Sequence, residues 1–234
     1  MSANPLPAWL LLVTDRHQAA QPLEDIVGEA VAAGARWVWL RDRDLPSAER
    51  RALAERLLAL TRAHGARLCV GGDVELAADI GADGVHLPAD SSFGACPNRR
   101  TDGHFAGTRV APIAAARARL GERALIGVSA HSDTEVAAAA AAGADYATLS
   151  PIFATASKPG YGPALGVAAL TRSGRYGLPV LALGGVTVER VEKCMHASAA
   201  GIAVMGEVMR AAGCPGGVRE AVRRYARALV AGAR

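Results

Sequence analysis

Two glycine-terminated apolar runs near the C-terminus carry the clearest chemistry in this sequence. Pro179-Val180-Leu181-Ala182-Leu183 stops at Gly184-Gly185, and Gly201-Ile202-Ala203-Val204-Met205 stops at Gly206. Each reads as a buried strand followed by a turn into a helix. Glycine lets backbone N–H groups approach an anion, and a following helix N-terminus adds positive potential. The pair therefore predicts a phosphate site made by Gly184, Gly185, Val204, Met205 and Gly206. The competing reading is that these glycines only turn the chain; recurrence at two successive strand ends favours phosphate.

Charged side chains offer a second anion site. Arg41 and Arg43 end another apolar run, Trp37–Leu40. Residues i and i+2 of a strand share a face, so both guanidinium groups are expected to turn toward one anion. A solvated Arg-Asp-Arg-Asp run is the plainer alternative. The chain has 24 Arg and two Lys, yet it places Lys158 in a Thr/Ser/Gly/Pro-rich loop. A compact ammonium there suits a phosphate. His131, after Gly127-Val128-Ser129-Ala130, is the candidate general acid/base, because both forms of imidazole are accessible near neutral pH. His86, inside Gly84-Val85-His86-Leu87, reads equally as a substrate contact or a satisfied core histidine. Asp15, Asp42 and Asp90 stand at three separate strand tips, which predicts no metal cluster.

The elements that must position these residues alternate along the whole chain. Strands are expected at Leu10–Thr14, Trp37–Arg41, Arg67–Val70, Gly84–Leu87, Leu125–Ser129, Tyr146–Leu149, Val180–Leu183 and Ile202–Met205. Helices are expected at Leu23–Ala33, Ser47–His64, Val74–Ile80, Ile113–Leu120, Glu135–Ala142, Val167–Ser173, Val188–Met195 and Arg219–Ala231. Eight strands, each followed by a helix, predict an α/β fold of the (β/α)8 TIM-barrel type, with residues 1–234 as a single domain. Gly81-Ala82-Asp83 and Gly143-Ala144-Asp145 echo one another just before strands, where glycine closes a helix. Two long irregular segments, Ala89–Thr108 and Ser150–Gly166, leave the strand ends where barrels place their chemistry.

Composition narrows the partners. Net charge is +4 and 51% of residues are hydrophobic. The arginines are scattered, with no basic stripe interleaved with aromatics, so nucleic-acid binding is not expected. Cys69, Cys96, Cys194 and Cys214 form no C-x-x-C pair, which argues against a zinc site or disulfide framework. No run approaches the ~20 apolar residues of a membrane helix, and Met1 to Thr14 lacks the pattern of a signal peptide. A cytoplasmic, reduced protein with a small-molecule phosphate partner is expected; assembly into a homo-oligomer is compatible with the sequence.

Taken in order, Thr14-Asp15, Leu40-Arg41-Asp42-Arg43, Gly81 to Leu87, Gly127 to His131, Asp145-Tyr146, Pro151 to Phe153 with Thr155 and Lys158, Pro179 to Gly185, and Gly201 to Val204 resemble the thiamine-phosphate-synthase superfamily over roughly residues 9–230. That superfamily also holds the TenI-type thiazole tautomerases. The resemblance implies that Gly184, Gly185 and Val204–Gly206 hold a thiazole phosphate. It implies that Arg41, Arg43, Ser129 and Lys158 meet a pyrophosphate, with His86 and Thr155 also substrate-binding. A synthase joins a pyrimidine pyrophosphate to the thiazole phosphate and uses Mg²⁺ to help the pyrophosphate leave. This chain departs from the synthase pattern in three places. Gly71-Gly72 replaces Asn-Asp after strand three, with Asp73 one residue late. Pro88-Ala89-Asp90-Ser91 replaces a Gly-Gln-acidic-Asp turn, and Trp39 replaces the Gln that faces the pyrimidine. These departures, with Leu87-Pro88 and His131-Ser132, resemble the tautomerase branch. The leading expectation is thus a metal-independent thiazole tautomerase with His131 as acid/base and no cofactor. The alternatives are a Mg²⁺-dependent thiamine phosphate synthase and a non-catalytic barrel that binds thiamine-pathway phosphates.

Overall fold

In the computed structural model, residues 4–89, 113–155, 163–214 and 217–232 are described. Eight short strands lie parallel and close into a barrel in chain order, the last pairing with the first. They are β1 (Leu10–Val13), β2 (Trp37–Leu40), β3 (Arg67–Gly71), β4 (Gly84–Leu87), β5 (Leu125–Ala130), β6 (Tyr146–Leu149), β7 (Val180–Leu183) and β8 (Gly201–Val204). Nearly every strand residue is buried, as expected when one face meets the lumen and the other the helices. The helices are α1 (Leu23–Ala32), α2 (Ser47–Ala63), α3 (Val74–Ile80), α4 (Ile113–Leu120), α5 (Asp133–Ala141), α6 (Ala168–Gly174), α7 (Val191–His196), α8 (Gly206–Ala211) and α9 (Gly217–Gly232).

The apolar residues sort into two layers. Leu11, Val13, Trp37, Trp39, Cys69, Leu125, Tyr146, Leu181 and Ala203 fill the lumen. The alternate strand positions join the helices in the larger outer core, where Val218, Val222, Tyr225 and Leu229 line the inward side of α9. At the N-terminal face of the barrel, two aspartates hold neighbouring strands in register. Asp83 accepts from Leu68 N (2.9 Å), and Asp145 accepts from Ile126 N (2.7 Å) and from Arg117 Nη2 (2.7 Å). The Gly-Ala-Asp echo in the sequence is thus a helix stop followed by a strand clamp.

The expected eight-helix pattern needs two amendments. β8 is followed by a short helix, α8, before α9, and the Val188–Met195 helix divides into a 3-10 turn (Val188–Arg190) and α7. Of the two expected long segments, residues 90–108 and 156–162 lie outside the described residues, and Asp90, Cys96 and Lys158 lie with them. No helix among the described residues is long and apolar enough to cross a membrane.

Candidate functional site

The C-terminal rim collects the candidate residues in two places. The first lies beyond β1, β2 and β3. β2 ends at Leu40, so the alternation expected to aim Arg41 and Arg43 together lapses just before them. Arg41 turns toward β1, where its Nη2 donates to Asp15 Oδ2 (3.1 Å). Arg43 turns toward β3 and lies against Gly72; a Cβ at that glycine would sit 2.8 Å from the Arg43 Cζ. Gly72 has φ 68°, a conformation glycine adopts at no steric cost.

A scaffold of fixed charges holds this quadrant. Thr14 donates its hydroxyl to Asp42 Oδ2 (2.6 Å) and accepts from Arg41 N (3.0 Å). Asp42 also accepts from Arg16 N (2.7 Å). Arg50, a buried residue of α2, reaches up and fastens three neighbours: Nε donates to the Asp42 carbonyl (3.0 Å), Nη2 to the Gly71 carbonyl (2.6 Å) and Nη1 to Asp73 Oδ2 (3.0 Å). Asp73 spends its other oxygen on Leu76 N (2.9 Å), as the N-cap of α3. Burial, with the charges of Arg50 and Arg41 adding, pushes the Arg43 guanidinium down to about 10. It remains a cation at neutral pH.

Directly below, the lumen holds a polar cluster. His86, fully buried, stacks on Trp39 with ring centroids 3.7 Å apart. Its Nδ1 lies 3.0 Å from the Tyr146 hydroxyl and its Nε2 3.0 Å from Ser129 Oγ, with Thr148 Oγ1 at 3.3 Å. Gly127 on β5 makes room for Tyr146, since a Cβ there would strike the phenol ring. Burial, reinforced by the Arg43 charge, holds His86 well below its ordinary value, so the ring is neutral. Trp39 also explains Gly71, where a Cβ would lie 2.8 Å from the indole Nε1.

The second place is the β5–β8 side. His131 stands at the tip of β5, half-buried; its Nδ1 donates to the Ser150 carbonyl (2.8 Å), and its backbone N–H donates to Glu135 (2.6 Å). Gly184 and Gly185 have φ of 92° and 62° and pack under the chain that leaves β6. A Cβ would lie 2.8 Å from Pro151 Cα at the first and 2.5 Å from the Ala154 carbonyl oxygen at the second. The turn is thus fastened to the segment that leads to Thr155: Phe153 N donates to the Gly184 carbonyl (3.0 Å), and Arg190 Nη1 to the Gly185 carbonyl (2.7 Å) while its guanidinium covers the Phe153 ring. Beyond β8, Val204 is buried and Met205 half-buried, and Gly206 opens α8 with the Arg210 guanidinium folded over it. Arg210 Nη1 donates to Gln18 Oε1 (2.7 Å), and Gln18 Nε2 donates to Asp15 Oδ2 (2.7 Å), the oxygen that Arg41 also uses.

Arg41, Arg43, His86 and Ser129 therefore form one contiguous region from rim to lumen, while His131, Thr155 and the three glycines line the other side. Arg50, Tyr146, Gln18 and Arg210 are the supporting residues that sequence reasoning missed. Each is one residue of a common type on an element of ordinary pattern, and its part emerges only when strands are set side by side.

Comparison with known proteins places these residues in a family. The sequence profile described as thiamine monophosphate synthase matches residues 10–208. A thiamine-phosphate synthase of Azorhizobium caulinodans is 39% identical over 214 residues, covering 89% of this chain and 90% of that protein. One of Roseiflexus castenholzii is 35% identical over 215 residues, covering 89% and 86%. Among solved structures, thiamine phosphate pyrophosphorylase from Pyrococcus furiosus superposes with a TM-score of 0.77 at 26% identity, covering 96% of each chain. These relatives overturn the expectation of a thiazole tautomerase, which gave the local departures at Trp39, Gly71 and Gly72 more weight than the likeness of the whole chain. The synthase alternative takes its place.

Proposed function

Because this chain belongs to the thiamine-phosphate synthase family, we propose that it is a transferase that joins a pyrimidine pyrophosphate to a thiazole phosphate. The observation that carries this reading is the division of one rim into a guanidinium-lined quadrant and a glycine-lined quadrant, which matches a reaction between two anionic partners. In the joining step, the bond from the pyrimidine methylene carbon to the pyrophosphate oxygen breaks and its electron pair leaves with the oxygen. The thiazole nitrogen supplies the pair for the new carbon–nitrogen bond.

The residues divide the work. Gly184, Gly185 and the Met205–Gly206 turn hold the thiazole phosphate through backbone N–H groups. Arg41 and Arg43 meet the pyrophosphate, and their charge offsets the negative charge that grows on it as it leaves. Ser129 and Thr155 supply hydroxyl contacts. Lys158 falls outside the described residues and joins the pyrophosphate set on the sequence resemblance alone. Trp39, buried and stacked on the neutral His86, forms an apolar wall of the lumen beneath the arginines. His131, tied to the Ser150 carbonyl, fixes the β5 and β6 tips relative to each other.

The test is direct. Purified protein incubated with both substrates, with and without Mg²⁺, should form thiamine phosphate and release pyrophosphate, followed by mass spectrometry. No product under either condition would remove the synthase reading.

A further inference from the structure

The resemblance to synthases brings with it a divalent cation held by carboxylates at the ends of β3 and β4, and the described rim does not fit one. The end of β3 offers two glycines, and the space above Gly72 is taken by a guanidinium: a Cβ there would lie 2.8 Å from Cζ, 3.0 Å from Nε and 3.1 Å from Nη2 of Arg43. The nearby carboxylates among the described residues, which do not include Asp90, are already committed. Asp15 is bound to Arg41 and Gln18, Asp42 to Thr14 and the Arg16 N–H, and Asp73 to Arg50 and the α3 N-terminus. Among the described residues, Arg43 has no carboxylate in salt-bridge range, and its buried Nε has no hydrogen-bond partner. The Nε of Arg41 and the Nε1 of Trp39 are buried and unpartnered in the same quadrant. Three buried N–H donors, two of them on cations, call for an acceptor-rich anion; a divalent cation would add like charge beside them.

We propose that this chain binds its pyrophosphate-type ligand without a divalent cation, the Arg43 guanidinium over Gly72 supplying, with Arg41, the positive charge at that place. The glycines at the end of β3 and the large side chains of β2 and the loop after it form matched pairs: Gly72 admits Arg43, and Gly71 admits the Trp39 indole. A guanidinium suits the task, since its planar fork meets two phosphate oxygens at once and stays charged when buried. The identity of the anion rests on the synthase reading; the cation-free mode of binding does not.

Inorganic pyrophosphate is the probe. Titrated calorimetrically into the wild-type chain, it should bind in EDTA within about threefold of its affinity in Mg²⁺. Arg43→Met should weaken that binding about 10- to 100-fold in either buffer, the loss expected for charge-assisted hydrogen bonds. Arg43→Lys should recover part of it. Binding that requires Mg²⁺, or Arg43→Met with unchanged affinity, would overturn the inference; the EDTA comparison needs no variant and does not depend on one folding. Cation-free binding without thiamine phosphate formation keeps this inference and removes the synthase reading. Product formation together with strictly Mg²⁺-dependent pyrophosphate binding does the reverse.

Discussion

The two quadrants of the rim are built from different materials. Beyond β1–β3 the chain uses side-chain charge, most of it braced: Arg50 alone touches Asp42, Gly71 and Asp73. Beyond β7–β8 it uses backbone, and the requirement is the absence of Cβ atoms at Gly184 and Gly185. A side-chain quadrant can exchange its chemistry by paired changes, a large side chain facing a glycine as in Trp39–Gly71 and Arg43–Gly72. A backbone quadrant cannot, because its geometry is the fold itself. The sequence resemblance to synthases follows the same division, matching at Gly184-Gly185 and departing at Gly71-Gly72.

The sharpest way to break this contrast is Gly185→Val. The position combines φ 62° with a Cβ that would lie 2.5 Å from the Ala154 carbonyl oxygen and 2.9 Å from Phe153 Cβ. Strain and overpacking together should cost about 2–5 kcal/mol of stability and raise the KM for thiazole phosphate. Urea unfolding and steady-state kinetics read both. A stable variant with unchanged KM would mean that the backbone is not the phosphate contact. Gly72→Ala is the matching change on the other side. Its obstacle is the end of a flexible side chain, so the stability loss should be smaller, on the order of 1 kcal/mol from the left-handed backbone. The displaced guanidinium should weaken pyrophosphate binding about tenfold and leave thiazole phosphate binding unaltered. Equal effects on both ligands would erase the distinction between the quadrants.

The same contrast decides what was legible in the sequence. Strands buried on both sides show as apolar runs, and β4, β6 and β7 fall on the expected bounds. β8 shifts by one because Gly201, lying against the Trp9 carbonyl, already pairs with Leu10's strand through Ile202 N. α8 is six residues long, too short to display a helical period. The glycine turns are local, so Gly184-Gly185 could be found by reading along the chain. The Arg43–Gly72 and Trp39–Gly71 pairs join two separate segments, at and just beyond the ends of β2 and β3, and nothing in either segment alone reveals that the large residue of one occupies the space vacated in the other. The absent carboxylate at residue 72 was visible; what fills its space became visible only where the chain leaving β2 crosses the end of β3.

Protonation offers a third probe, since the side-chain quadrant rests on a buried imidazole and the backbone quadrant has none among the described residues. Burial and Arg43 lower the His86 value in the folded chain, whereas the unfolded chain keeps the ordinary 6.5. Below about 6.5 the unfolded state therefore binds a proton that the folded state refuses. The stability contributed by neutral His86 is complete above that pH and is lost as pH falls toward the depressed folded value, by up to about 1.4 kcal/mol per pH unit. Urea midpoints between pH 7.5 and 5 should fall for the wild type and fall less for His86→Gln. Identical slopes would show that the ring is not held neutral beneath the arginines.

The smallest expected effect concerns whether the quadrants are independent. Arg41 and Gln18 share Asp15 Oδ2, and Gln18 Oε1 accepts from Arg210, whose guanidinium folds over Gly206. This line of four side chains runs from one proposed anion site to the other. Its outer link, Arg210 to Gln18, is solvent-exposed and therefore weak. Arg210→Met should raise the KM for thiazole phosphate about two- to fivefold. Arg41→Met should act mainly on pyrophosphate, and it also releases Asp15 to hold Gln18 differently. In the double variant the two losses on thiazole phosphate binding should therefore fail to multiply, by about twofold, a coupling near the smallest that such cycles resolve. Losses that multiply would show two independent sites that happen to share a barrel. Losses that do not would show that the charge at β2 helps set the cation over the glycine turn at β8.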